Sequence, residues 1–157
     1  MDVLIVYGSQ FGTTERLAST MALALGREHQ VRVVHARDAA HVTGAGVDLL
    51  IVGAPTQLHG LRLLARPFLT GLADRGFRDV AAAAFDTRLA GGPDRTGAAA
   101  DGIARRLEAA GCRLVRRPEG FLVSDLKGPL AEGEDARAVD WALDVAAAAT
   151  PLSQARR

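Results

Sequence analysis

Between Gly8 and Thr14 the chain places two glycines and three hydroxyl side chains, Ser9, Thr13 and Thr14, around Gln10 and Phe11. Just before them lies Val3-Leu4-Ile5-Val6, a short apolar run that reads as a buried strand. Just after them, Leu17, Met21 and Leu25 recur every four residues, which is helix spacing. The stretch is therefore a strand-to-helix turn. Backbone N–H groups at a helix start have no intrahelical partner, and together with the helix dipole they favour an anion. The hydroxyls add further donors, so a phosphate monoester is the natural guest. The same residues also fit a plain capped turn, with Thr13 or Thr14 as the N-cap.

These side chains need a frame. Gln30 to His35 reads as a second strand, whose charged residues suit a sheet edge. Asp38 to Val42 suggests a short helical turn. Val47 to Gly53 is a nearly continuous apolar run, as a central parallel strand requires. Leu61 to Ala73 reads as a helix with Pro67 inside it, where the helix should kink or restart. Val80 to Phe85 is a fourth strand by position, although Ala is a poor strand former. Gly97 to Ala110 reads as a helix. Arg113 to Arg116 and Gly120 to Ser124 make a fifth strand with a break near Pro118, and Glu134 to Ala149 is a closing amphipathic helix. Repeated β-α alternation predicts a parallel sheet with helices on both faces. Ligands of such sheets sit at the carboxyl ends of the strands. Three loops share that end: 8–14, 54–60 and 86–96.

Composition sets the bounds. The 157 residues are 48% hydrophobic and 24% charged, with a formal net charge of +1. That is one globular domain, expected over 1–150, followed by a flexible tail over 151–157. Nothing in the charge points to nucleic acid. A single cysteine, Cys112, excludes an internal disulfide and a cysteine-based zinc site, and it suits a reducing, cytoplasmic setting. No signal peptide or membrane-inserting segment is evident. The four histidines are too scattered for a metal site.

Spacing removes several α/β readings. Gly8 and Gly12 are one residue too close for a Walker loop, and no lysine follows. The Gly-x-Gly-x-x-Gly of dinucleotide folds is absent, and strand 3 ends on Gly53-Ala54-Pro55 instead of a phosphoacceptor Asp. What remains resembles the flavodoxin family. Ser9-Gln10-Phe11-Gly12-Thr13-Thr14 is similar to its phosphate loop, and the run from Tyr7 to Thr13 to that of the FMN domains of diflavin reductases. Gly53-Ala54-Pro55-Thr56 resembles the family's loop beside the isoalloxazine. The segments Phe85 to Arg88, Gly120 to Val123 and Gly128-Pro129-Leu130 are also similar to a flavodoxin-like group of high-GC bacteria.

The resemblance covers the whole chain and implies a three-layer α/β/α sandwich, a flavodoxin-like fold with a five-stranded parallel sheet of order 2-1-3-4-5. It implies FMN as cofactor. The 5′-phosphate would be held by Ser9, Gln10, Phe11, Gly12, Thr13 and Thr14. The ring would lie between Pro55, Thr56, Gln57, Leu58, His59 and Gly60 on one side and Asp86, Thr87, Arg88 and Leu89 on the other. Function would be electron transfer with a redox partner protein or a small-molecule acceptor. Departures accompany the match. Phe11 replaces a hydroxyl residue. Gln57 stands where the family often has Trp, and no aromatic residue lies between Asp86 and Gly111. Leu58, His59, Arg88 or Leu89 would have to cover the ring, and a guanidinium can stack on a π-face. The missing aromatics favour a second reading, a flavodoxin-like interaction or regulatory module without flavin. The retained hydroxyls and Pro55-Thr56 oppose it.

Overall fold

A computed structural model of the chain describes residues 1–56, 64–90 and 98–156. Its centre is strand β1 (Asp2–Tyr7), which pairs in parallel with β2 (Gln30–His35) on one side and β3 (Leu49–Pro55) on the other. Strand β4 (Ala81–Leu89) follows β3. The fifth position is shared by two short strands, β5 (Arg113–Leu114) and β6 (Glu119–Val123), which lie one after the other along β4. The order is β2-β1-β3-β4-β5, with β6 beside β4, so the expected flavodoxin-like parallel sheet is present and β2 is at its edge. The split has a local cause. Leu114 pairs with Ala82 and Glu119 with Phe85, so residues 115–118 span a gap that β4 crosses with Ala83 and Ala84 alone. The surplus must bulge outward, and Pro118 brings no N–H to a ladder.

Strand alternation builds two cores. Val3, Ile5, Leu49, Ile51, Ala83 and Phe85 face Leu17, Met21 and Leu25 of α1 (Thr13–Leu25) and Val145 of the last helix, α4 (Glu134–Arg156). Leu4, Val6, Leu50, Val52, Ala82 and Ala84 face Phe68 and Leu69 of α2 (Arg66–Leu69) and Ile103 and Leu107 of α3 (Ala99–Ala109). All these side chains are buried. The small alanines of β4 are flanked by large rings. Phe68 meets Phe77 edge-on at 5.5 Å on one face, and Phe85 meets Trp141 at 6.1 Å on the other. Tertiary packing therefore overrides the weak strand propensity of Ala.

Four expectations need correction. The expected helix over 61–73 is only Arg66–Leu69 among the described residues, and of the two outcomes expected at Pro67 the restart holds, since Pro67 stands in the first turn, where its missing N–H costs nothing. Residues 61–63 of that expected helix lie outside the described residues. The expected turn over Asp38–Val42 falls earlier, as a 3-10 turn at Ala36–Asp38. Strand β4 runs four residues beyond Phe85, so Asp86 to Leu89 are strand and not loop. The last helix does not end at Ala149. It continues through Pro151 to Arg156, so most of the expected flexible tail is helical.

Candidate functional site

The carboxyl ends of β1, β3, β4 and β6 open on one cavity of about 390 Å³. Ser9, Gln10, Phe11, Thr13 and Thr14 form one wall, and Pro55, Thr56, Thr87, Arg88 and Leu89 form another. Ten residues expected from three separate stretches thus meet at one place. Gln57, Leu58, His59 and Gly60 lie outside the described residues, as do residues 91–97.

The turn after β1 is shaped by Gly12. Its φ is +88°, in the left-handed region that a side chain disfavours, and its carbonyl accepts the first helical bond from Arg16 N–H at 2.9 Å. Gly12 is therefore the N-cap, and neither Thr13 nor Thr14 is. No side chain caps α1. The N–H groups of Thr13, Thr14 and Glu15, in its first turn, have no partner within the helix. Tyr7 Oη donates to Glu15 Oε1 at 2.9 Å and holds that carboxylate to the end of β1. Burial, aided by this bond, raises the Tyr7 phenol above its ordinary pKa.

The hydroxyls are oriented by what they already accept. Ser9 Oγ accepts Gly12 N–H at 3.1 Å, and Thr56 Oγ1 accepts Ala99 N–H at 2.9 Å. Each keeps its own O–H proton for another acceptor. Thr14 is buried and its Oγ1 lies 3.0 Å from Thr87 Oγ1. One of these hydroxyls donates to the other, and the acceptor's own proton remains available. The set presents donors, which is what a phosphate or a flavin carbonyl requires.

Two glycines set how closely the strands approach here. A Cβ on Gly53 would lie 2.1 Å from the Phe85 ring, and one on Gly8 would lie 2.6 Å from the Leu64 backbone. Gly8 N–H donates to Gly53 O at 2.9 Å, tying the two loops together. The glycine at the head of Gly53-Ala54-Pro55-Thr56 is thus required by a ring on the next strand.

Asp86 and Arg88 are placed differently from the neighbouring Thr87. The Asp86 side chain is fully buried and is not part of the cavity wall. Its two oxygens accept Arg88 Nε at 2.6 Å and Nη2 at 2.7 Å, and Oδ2 also accepts Ala100 N–H at 2.9 Å. The carboxylate thereby starts α3 and pins the end of β4. Arg88 lies across Gly120, where a Cβ would meet its Nε at 2.2 Å. The Arg88 side chain still contributes to the cavity wall.

Sequence reasoning missed a third wall, made of Val123, Leu126 and Lys127 after β6. The segment is braced by an antiparallel bridge between Val123 and Leu130. The signal for it was Gly128-Pro129. Gly128 has φ +90°, and a Cβ there would lie 2.7 Å from Thr13 Oγ1, so this turn presses on the start of α1. Below it, Glu134 accepts Leu122 N–H at 2.7 Å and Arg137 Nε at 3.0 Å, which joins β6 to α4. The Arg137 guanidinium, with help from that N–H, holds the Glu134 carboxyl below its ordinary pKa against the opposing effect of burial.

No group of metal ligands occurs among the described residues. The cavity's hydroxyl donors and apolar side chains are chemically suited to a phosphorylated, partly apolar molecule. The flavodoxin family model matches residues 5–140. The chain belongs to the flavodoxin family. Similar solved structures include oxidised flavodoxin 1 of Bacillus cereus, 19% identical with a TM-score of 0.76, covering 94% of this chain and 98% of that one. Flavodoxin 2 of the same organism is 22% identical, also at 0.76, over 94% and 99%. A flavodoxin from the domain Archaea is 18% identical at 0.76, over 96% and 99%. At these identities the structures show a shared fold. No protein with a curated function matches the sequence.

The family's cofactor is FMN. The residues fit its phosphate end, with an uncapped helix start, a left-handed glycine and hydroxyls oriented to donate. Among the described wall residues the only aromatic is Phe11, which is 47% exposed. No helix among the described residues is long and apolar enough to cross a membrane.

Proposed function

We propose that this flavodoxin-family chain binds FMN in the cavity above β1, β3 and β4 and exchanges electrons with a redox partner protein or a small-molecule acceptor. The observation that carries the proposal is the uncapped start of α1 opening onto a hydroxyl-lined cavity. It occurs in the loop that resembles the family's phosphate loop. When bound, FMN supplies the electron acceptance and release.

The chain supplies position and surroundings. Thr13, Thr14 and Glu15 N–H groups, with the hydroxyls of Ser9, Thr13 and Thr14, bind the phosphate. Gln10, Phe11 and Gly12 shape that loop. Thr56 and Thr87 offer donors further along, while Pro55, Leu89 and the apolar part of Arg88 exclude water from one side of the ring. Gln57, Leu58, His59 and Gly60 complete the ring loop in this reading. Asp86 acts indirectly by fixing Arg88. A reducing, cytoplasmic setting belongs to the same reading, on the grounds of the single thiol Cys112, which is buried.

The test is the visible spectrum and flavin fluorescence of purified protein titrated with FMN. Stoichiometric quenching is expected, and Ser9→Ala with Thr14→Ala weakens it. No binding by the intact protein removes this reading and leaves the flavin-free interaction module. Unchanged affinity in the double variant means that the phosphate sits elsewhere.

A further inference from the structure

We infer that Lys127, seated over the Phe11 ring, selects for the phosphate, so that this site discriminates a phosphorylated flavin from an unphosphorylated one by charge. The inference rests on reading the cavity as an FMN site.

Phe11 occupies a place in the Ser9–Thr14 loop where a hydroxyl donor is expected, so that loop has one neutral donor fewer. The ring instead serves as a seat. Lys127 Nζ lies 5.6 Å from its centroid, within the range of a cation–π contact. Lys127 also lines the same cavity as Ser9, Thr13 and Thr14. The exchange replaces a short local hydroxyl with a full charge brought from a distant loop.

The backbone holds Lys127 there. Ser124 N–H donates to Pro129 O at 2.9 Å and Gly128 N–H to Asp125 O at 2.9 Å, closing a tight turn with Lys127 near its tip. Asp125 Oδ1 accepts Leu126 N–H at 2.7 Å, so the nearest acid in sequence is engaged within the turn. Gly128 then packs against Thr13, the first residue of α1. The turn is therefore fixed relative to the helix start that receives the anion.

The charge is also uncommitted. Among the described residues Lys127 forms no ion pair, whereas Arg16, Arg88, Arg113, Arg116 and Arg137 each pair with a carboxylate. A lysine ammonium is a compact point charge suited to phosphate. Helix N–H groups and hydroxyls supply only partial charges, and of the two cations in the described cavity lining Arg88 is paired with Asp86, so Lys127 is the one without an ion pair among the described residues.

The experiment titrates flavin-stripped full-length protein with FMN and with riboflavin by fluorescence quenching, at low and high salt. The variants are Lys127→Gln, Lys127→Arg and Phe11→Ala. Lys127→Gln is expected to weaken FMN by about 5- to 20-fold, to leave riboflavin unchanged, and to flatten the salt dependence of FMN binding. Lys127→Arg retains most FMN affinity. Phe11→Ala, which removes the seat, reproduces part of the Lys127→Gln loss. Lys127 is exposed, so these variants should fold. Equal weakening of FMN and riboflavin, or none, in Lys127→Gln overturns the inference while FMN binding itself stands. Wild-type protein that binds neither flavin overturns both.

Discussion

The Thr14 and Thr87 hydroxyls lie 3.0 Å apart in the protein interior and join the first turn of α1 to the end of β4. They link two segments that are 73 residues apart in sequence. Removing one partner leaves the other buried and unsatisfied, which costs about 1–3 kcal/mol. Removing both with same-shaped apolar groups costs far less. Thr14→Val and Thr87→Val should each lower stability in urea unfolding, and the double variant should lose much less than the sum of the two single losses. Additive losses would show that the hydroxyls do not depend on each other. FMN affinity should fall in all three variants.

Gly53 is a packing requirement. A Cβ placed 2.1 Å from the Phe85 ring cannot be accommodated without moving the ring or β3. Gly53→Ala should destabilise the protein by about 1–3 kcal/mol through overpacking. Phe85→Leu in the same chain should recover part of that loss. A wild-type thermal midpoint in Gly53→Ala alone would contradict the packing seen here.

Asp86 carries a buried charge whose only charged partner among the described hydrogen bonds is Arg88. Breaking a buried pair from one side leaves an uncompensated charge and costs about 3–5 kcal/mol. Asp86→Ala should show a loss of that order in denaturant unfolding, together with loosening of the α3 start. Hydrogen exchange at Ala100, whose N–H loses its acceptor, reads the second effect directly. Full protection there would mean that α3 does not depend on Asp86.

Glu134 gives a pH dependence with a defined sign. Its folded pKa lies below the ordinary value of 4.5, chiefly because Arg137 bonds to the carboxylate. A group shifted this way contributes stability above its unfolded pKa and loses it as pH falls through the folded one. Stability should therefore decline on acidification below about pH 4.5, and Glu134→Gln should be less stable at neutral pH with a shallower acid decline. Urea midpoints measured across pH 3 to 7 check both slopes. Parallel curves for the two proteins would show that another group governs the acid limb.

Much of this protein was legible in its sequence, for reasons that differ by segment. Apolar continuity announces a strand buried on both faces, so β1 and β3 were visible at once. The four-residue spacing of Leu17, Met21 and Leu25 announced α1. The short loops at the strand ends were readable because glycine and hydroxyl residues are sparse and positional. Element ends were less legible. Beyond Phe85 nothing in Asp86-Thr87-Arg88-Leu89 suggests a strand, because two of the four are charged. The strand persists there because β3 and β6 bond to its two edges and Arg88 neutralises Asp86.

By itself the sequence determined the order of elements, the switch from continuous apolar runs to four-residue spacing, and the turn chemistry of Gly8 to Thr14, since each depends on residues close together in the chain. Tertiary structure decided which distant residues share a surface. It paired Thr14 with Thr87, set Phe85 over Gly53, and turned Asp86 away from the cavity to start α3. It also brought Lys127 over the Phe11 ring at the opening loop. Such contacts depend on strand register and on the angle at which one turn meets another, and neither is written in any single stretch of the chain.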